Sequence, residues 1–380
     1  MKLQISKTPL NDAIQDVMKA VPTKTSNPIL TGIKIDADSH GVTLTATDSD
    51  ITIRRFIAAE EGGLTIIDVH IPGSVVLPAK FFSEIVRRLP MEKVLLEVND
   101  LFTTVLRSGK VELQLVGLDP EEFPSLPQIE RNHSIEISSH LLKDMIRQTV
   151  FAIATNESTP VLTGVLWTVE DRKIKFTACD RHRLASRETD VPIDSDIRIN
   201  PVVVSGRTLN ELQKILPDQN EMVTIVFSDN QILFRFRSIL FYSQVLDGTY
   251  PDTTKLIPRS FNTELVLERS LFEDAIERAY LLSRESKSNI VKLSMNENQS
   301  IEISSSSSEI GKVTEEIDAK EISGELLKIS FNSKFMLDAL KVIDNDWVHL
   351  GFTSAMHPII MKPLEDATLM QLILPYRTMN

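Results

Sequence analysis

A single cysteine, Cys179, stands among 380 residues, which excludes an internal disulfide and any cysteine zinc cluster. The seven histidines form no His-Glu-x-x-His or other metal-ligand spacing, and His133 and His140, seven apart, read as surface residues. The thirteen glycines build neither Gly-x-x-x-x-Gly-Lys-Ser/Thr nor Gly-x-Gly-x-x-Gly, so no phosphate cradle is visible and no cofactor is expected. Aromatics make up only 6%, too few for a base-stacking platform, and no zinc finger or basic zipper is present. No apolar run approaches the ~18–20 residues that span a bilayer. The opening Met1–Lys7 has no apolar stretch of signal-peptide length, so a cytoplasmic protein without a membrane partner is expected. The net charge of −12 taken alone argues against nucleic acid, although the placement of charge decides that question.

What is present is repetition. Asn27-Pro-Ile-Leu-Thr-Gly-Ile-Lys-Ile35 and Thr159-Pro-Val-Leu-Thr-Gly-Val-Leu-Trp167 share Pro-x-Leu-Thr-Gly. A second echo follows, Thr45-Ala-Thr-Asp48 and Thr177-Ala-Cys-Asp180, whose aspartate lies twenty residues after the proline in both copies. Two echoes in one register indicate a duplicated unit. A third copy follows, with Asn289-Ile290-Val291-Lys292-Leu293 in place of the first phrase. There the Ser304–Ser308 run replaces Ala-Thr-Asp and is read as a solvated turn.

Each copy begins with an amphipathic helix. Leu10, Ala13, Ile14, Val17, Met18 and Val21 mark the first. Leu142, Met145, Ile146, Thr149 and Val150 mark the second, and Phe272, Ala275, Ile276 and Ala279 the third. A further helix recurs at 79–86, 206–212 and 333–340, its basic residue being Lys80, Arg207 or Lys334 at intervals of 127. Strands Ser74–Leu77, Val202–Val204 and Lys328–Phe331 precede these, and alternating strands such as Val94–Val98 and Met222–Phe227 follow. The expectation is an α+β chain of three domains, 1–125, 126–253 and 254–380, each made of two βαβββ halves with antiparallel sheets.

The six helix windows hold thirteen basic and nine acidic residues, a surplus of four positive charges that leaves −16 on the remainder. Two readings stay open. Helices favour lysine and arginine in any case; alternatively, the six polar faces line one surface that meets a polyanion by charge, without reading its bases. Helices packed about 8–10 Å apart would form a ring only ~17 Å across with six members, too tight for a duplex. Twelve would leave a hole of ~24 Å, so two chains would be needed to encircle DNA. The one reactive-looking cluster, Cys179-Asp-Arg-His-Arg-Leu184, is absent from the first copy at Thr47-Asp-Ser-Asp50. A catalytic centre on Asp180, His182 and Arg183, an ion-paired turn and a contact surface are the alternatives there. A repeat scaffold with no DNA role is the remaining reading.

Taken in order, Pro-Ile-Leu-Thr-Gly, Ala-Thr-Asp, Phe-Pro-Ser-Leu-Pro, Cys-Asp-Arg-His-Arg-Leu-Ala, Leu-Asp-Gly-Thr-Tyr-Pro-Asp and the final Leu-Ile-Leu-Pro-Tyr-Arg resemble the bacterial DNA sliding clamps, the beta subunits of DNA polymerase III, over the whole chain. The resemblance implies a head-to-tail homodimeric ring of six similar domains, with helices inside and sheets outside. It implies a processivity factor of DNA replication with no reaction of its own. The implied partners are encircled duplex DNA, the polymerase III alpha subunit and other DNA polymerases, a clamp loader, and repair proteins carrying clamp-binding peptides. Lys24, Lys80, Arg147, Arg207 and Lys334 would face DNA. A peptide-binding pocket would use Leu162, Cys179, Arg181, His182, Arg183, Leu184, Pro251, Leu256, Pro358, Leu372, Leu374, Tyr376 and Arg377. Cys179 stands where the family has a hydroxyl residue and Arg181 where it has a small Gly or Ser. The dimer contact would bring Phe81, Val111 and Leu113 against Leu281 and Leu282 of a second copy.

Overall fold

The computed structural model describes residues 1–126, 133–156, 158–192, 199–285, 289–307 and 310–377. Among the described residues there are six α-helices: α1 (Lys7–Val17), α2 (Ala79–Arg88), α3 (Ser139–Val150), α4 (Gly206–Ile215), α5 (Arg269–Ser283) and α6 (Ser333–Leu340). Each follows directly on a strand and is succeeded by three more, giving the expected βαβββ pattern six times over. In the first half-repeat these are Lys2–Ser6, then α1, then Gly32–Asp38, Gly41–Thr47 and Ile51–Ala58. Among the described residues the first repeat inserts three extra strands, Glu60–Glu61, Leu64–Thr65 and Ile67–Ile71, and the third repeat one, Glu321–Gly324. The apolar stripes read from the sequence are the buried faces: Leu10, Ala13, Ile14 and Val17 in α1, and Phe272, Ala275, Ile276 and Ala279 in α5.

The chain packs as two compact units. The first, Met1–His140 with Glu211–Val245, contains antiparallel sheets of five and eight strands. The second, Leu141–Asn210 with Leu246–Asn380, contains antiparallel sheets of nine and four. The central repeat is thus shared out. Its strand Ile239–Gln244 pairs with Ile51–Ala58 of the first repeat, and its strand Arg183–Asp190 pairs with Leu369–Ile373 of the third.

The duplicated phrase has a physical explanation. In both copies it forms a 3₁₀ turn, Pro28–Thr31 and Pro160–Thr163, that feeds a strand starting at glycine. Proline presets the backbone for the first turn position. The threonine hydroxyl donates to the proline carbonyl at 2.7 Å in both, Thr31 to Pro28 and Thr163 to Pro160. A Cβ on Gly32 would lie 2.3 Å from Val76 Cγ1, and one on Gly164 would lie 2.7 Å from Val203 Cγ1, so no larger residue fits beside the neighbouring strand. The aspartate of the second echo closes a hairpin. Asp48 Oδ1 accepts from the backbone of Asp50 and Ile51, and Asp180 Oδ1 from His182 and Arg183.

Two expectations are corrected. The first helix stops at Val17, and a 3₁₀ turn over Met18–Ala20 leaves Val21 extended, because the cap N–H returns to Met18 rather than extending the α ladder. The serine run is not a solvated turn. Ser300–Ser307 is an eight-residue strand paired on both sides, with Ser304, Ser305 and Ser307 buried; Ser308 lies outside the described residues. Serine is small enough to sit in this ladder, and Ser305 Oγ donates to Ile290 O at 3.3 Å. Gly32→Ala is expected to lower the unfolding free energy by about 1–3 kcal/mol through overpacking against Val76. Denaturant titration checks this, and wild-type stability would show that the turn has slack.

Candidate functional site

The site is assembled by strand register within the second unit. Cys179 pairs with Leu184, Leu184 with Leu372, and Leu372 with Ile360, so four side chains from four adjacent strands form one row on one face of the nine-stranded sheet. Val161, Leu162, Val203 and Met370 complete this buried apolar group, with Leu374, Tyr250, Ile257 and Phe261 partly buried against it. The chain beyond Ile373 is held in place by Leu374 N–H donating to His182 O at 2.8 Å and Tyr376 N–H to Ser330 O at 2.7 Å. Tyr250 Oη accepts from Cys179 N–H at 3.0 Å, which ties the Tyr-Pro-Asp segment to the same row. Burial pushes the Cys179 thiol and the Tyr250 phenol up, so both stay neutral near pH 7.

Adjoining the row at Leu162 and Ala154 is a cavity of about 390 Å³. Arg181, His182 and Arg183 from the hairpin turn, Lys334, Phe335 and Asp338 from α6, and Thr155, Asn156, Ser158 and Thr159 line it. The first turn of α6 is fixed by its cap: Asn332 Oδ1 accepts from the N–H groups of Lys334 (2.9 Å) and Phe335 (3.3 Å). Arg183 is the hub. Its Nε donates to Asp180 Oδ2 at 3.0 Å, Nη1 to Asp338 Oδ2 at 2.6 Å and Nη2 to Phe151 O at 2.6 Å. The guanidinium lies 4.5 Å over the Phe335 ring and its side chain is 10% exposed. Asp180 and Arg183 are therefore committed to each other and to the turn, an arrangement that holds a wall in place and leaves neither group free for acid–base work.

Of the residues expected in the pocket, Cys179, Leu184 and Leu372 come together in the apolar row with Leu162 and Leu374 packed against it, and Leu162, Arg181, His182 and Arg183 line the cavity. Pro251, Leu256, Pro358, Tyr376 and Arg377 line neither; Leu256 and Tyr376 are about half exposed, at 49% and 53%. The sequence reading missed Tyr250, Ile360, Met370, Phe335 and Asp338. Tyr250 was inside a quoted motif, whereas Ile360 and Asp338 are brought in by register and packing alone.

Among the residues expected to face DNA, Lys24, Lys80, Arg207 and Lys334 are exposed. Arg147 is half-buried and donates to Asp344 at 2.5 Å and Asp144 at 3.2 Å. Other helix cations are paired too, Lys214 with Glu211 at 2.7 Å and Arg278 with Glu315 at 2.6 Å, so the unneutralised charge is narrower than the count suggested. Phe81 is 64% exposed and Leu281 53%, with Val111 and Leu113 on the exposed strand Val111–Val116 and Leu282 half-buried. Among the described residues no group of His, Cys, Asp and Glu is arranged to hold a metal ion, and no helix is long and apolar enough to cross a membrane.

Arg183→Ala is expected to cost about 3–5 kcal/mol, since it leaves Asp180 and Asp338 without their shared cation. Arg183→Lys should recover only part of this, because one ammonium cannot reproduce three planar N–H contacts. Thermal or denaturant midpoints decide it; a loss under about 0.5 kcal/mol would remove Arg183 from its role as hub. Cys179, neutral and buried, should resist alkylation at pH 8 in the folded chain and react only on unfolding, as thiol titration would reveal.

Three family models match in series: the N-terminal domain of the DNA polymerase III beta subunit at residues 1–127, its central domain at 136–252 and its C-terminal domain at 254–377. The beta sliding clamp of Bacillus subtilis is 52% identical over 378 residues, covering 100% of both chains. That of Staphylococcus aureus is 45% identical over 379 residues, again covering 100% of both. The solved sliding clamp of Bacillus subtilis superposes with a TM-score of 0.98 at 51% identity and full coverage of both chains. The DNA polymerase III beta chain of Streptococcus pneumoniae superposes at 0.95 with 35% identity, covering 99% of this chain and 100% of that one. With all three domain models matched in order and full-length relatives at half identity, the chain belongs to the DNA polymerase III beta subunit family, the beta sliding clamps.

Proposed function

We propose that two copies of this sliding clamp close head to tail into a ring around duplex DNA and tether a DNA polymerase to its template without catalysing any reaction. The observation that carries the ring is the strand Val111–Val116, the last strand of its five-stranded sheet and exposed along nearly its whole length. A strand edge that exposes apolar Val111 and Leu113 is a ready template for another chain, and Phe81 of α2 is exposed as well. A counterpart edge is Gly311–Asp318 of the four-stranded sheet, which packs against α5, the helix that carries Leu281 and Leu282. Pairing the two edges between copies closes a dimer.

Lys24, Lys80 and Arg207 are the cations assigned to DNA. Arg147 contributes through exchange of its ion pairs for phosphate, and Lys334 belongs first to the cavity that it lines. Contacts of this kind are set by charge and blind to sequence, which suits a ring that slides. The apolar row and cavity receive short peptide segments of polymerases, clamp loader and repair proteins. Leu162, Cys179, Leu184, Leu372 and Leu374 form the anchor, Arg181, His182 and Arg183 the polar wall, and Pro251, Leu256, Pro358, Tyr376 and Arg377 the outer rim. Domain limits of 1–125, 126–253 and 254–380 and a cytoplasmic location complete the reading.

Loaded protein should stay on closed circular DNA and dissociate when the circle is cut. Retention that ignores linearisation would overturn encirclement. Light scattering should give a mass near twice 42.8 kDa, and a stable monomer at micromolar concentration would remove the ring.

A further inference from the structure

The eight-stranded sheet of the first unit has two faces, and the core uses one of them. On its strands Ile51–Ala58, Ile239–Gln244, Gln231–Phe236 and Met222–Phe227, the residues Ile53, Phe241, Phe234 and Ile225 lie side by side and fully buried. The alternate positions form two rows on the opposite face. Thr52, Tyr242, Leu233 and Val226 make one row, and Arg54, Leu240, Arg235 and Thr224 the next. Tyr242, Leu233 and Val226 pack with Leu240 into an apolar cluster of their own.

Two arginines stand astride that cluster, Arg54 and Arg235, each directly opposite Leu240 from one side. Arg235 is exposed and Arg54 half-buried, and neither side chain has an ion-pair or hydrogen-bond partner among the described residues. Burial pushes the Tyr242 phenol up against the pull of both guanidinium groups, so it stays a neutral O–H near pH 7. The other charged members of the row stand at its ends. Glu136 lies beyond Thr224 on the strand His133–Ser138, and Lys34, beyond Thr45, is paired with Asp36 at 3.5 Å. The repeat shows that the arginines are particular to this face. Arg54 stands six residues after Asp48, whereas six after the matching Asp180 stands Ser186, which lies opposite Met370 as Arg54 lies opposite Leu240.

We propose that this face docks an acidic, apolar segment of a partner protein, with its carboxylates on Arg54 and Arg235 and its apolar side chains on Leu240 and Tyr242. Each guanidinium offers a carboxylate a planar, two-pronged contact, and Tyr242 offers a broad ring with one polar end. A nucleic-acid backbone would call for a longer track of cations and would leave the apolar cluster unused. The surface shares no residue with the apolar row or the cavity of the second unit, so it is a separate docking site and stands apart from the peptide-site reading.

The test depletes a phage-displayed random nonapeptide library on the full chain carrying Arg54→Glu together with Arg235→Glu, which removes peptides bound elsewhere, and then pans the remainder on the wild type. Thermal midpoints confirm that the variants fold; if the doubly reversed chain does not, Arg54→Gln with Arg235→Gln replaces it in the depletion. The surviving peptides should carry Asp or Glu beside large apolar residues. For the best of them, fluorescence anisotropy should show binding weakened about tenfold by Arg54→Gln and by Arg235→Gln singly. No surviving peptides, survivors without acidic residues, or affinities that the single variants leave unchanged would overturn the proposal. An oligothymidylate probe that binds the wild type and is lost from the double variant would assign the arginines to nucleic acid and overturn it too. Failure of the peptide site in the second unit would leave each of these results unaffected.

Discussion

The antiparallel ladder between Arg183–Asp190 and Leu369–Ile373 is the constraint on which the functional site depends. It joins the second repeat to the last strand of the chain, and it sets which side chains share a face. Leu184 falls opposite Leu372 and continues the row from Cys179, while Arg183 falls opposite Ile373 and reaches Asp338 of α6. A slip of one residue would exchange the two faces, turning the anchor inward and the hub arginine outward. Register therefore decides the chemistry of the site before any side chain contact does.

Arg183 then converts that register into a rigid wall. Three hydrogen bonds to three different segments, with aromatic rings of Phe151 and Phe335 beside the guanidinium, leave it little freedom. Such a buried ionic hub gives weak net stability compared with apolar packing, yet losing its cation is costly because carboxylates stay behind. The neighbouring Arg181 is the opposite case, exposed and only lightly bonded. One hairpin turn thus holds a structural cation and an exposed one two residues apart.

Much of the architecture was legible in the chain. The apolar stripes of α1 and α5 have helical period and are buried as read, and the duplicated Pro-x-Leu-Thr-Gly phrase marked equivalent positions in two repeats. The serine run misled because a polar composition suggests solvent, although small side chains also fit between paired strands and the main chain decides the outcome. The charge count on the helices misled in degree. Several of its cations are neutralised by carboxylates one turn away or on a neighbouring strand, as with Lys214 and Glu211 or Arg278 and Glu315.

By itself the sequence determined the threefold repeat, the helix and strand periods, and the singular Asp-Arg-His-Arg turn of the second copy, because these are local patterns written in residue order. Tertiary structure alone decided that Ile360, Met370, Asp338 and Tyr250 join that turn, and that Arg183 is committed to two carboxylates while Arg181 bonds only to Thr159 Oγ1. Pairing between strands nearly two hundred residues apart carries no local signature. It is fixed by which backbone edges meet when the apolar faces are buried.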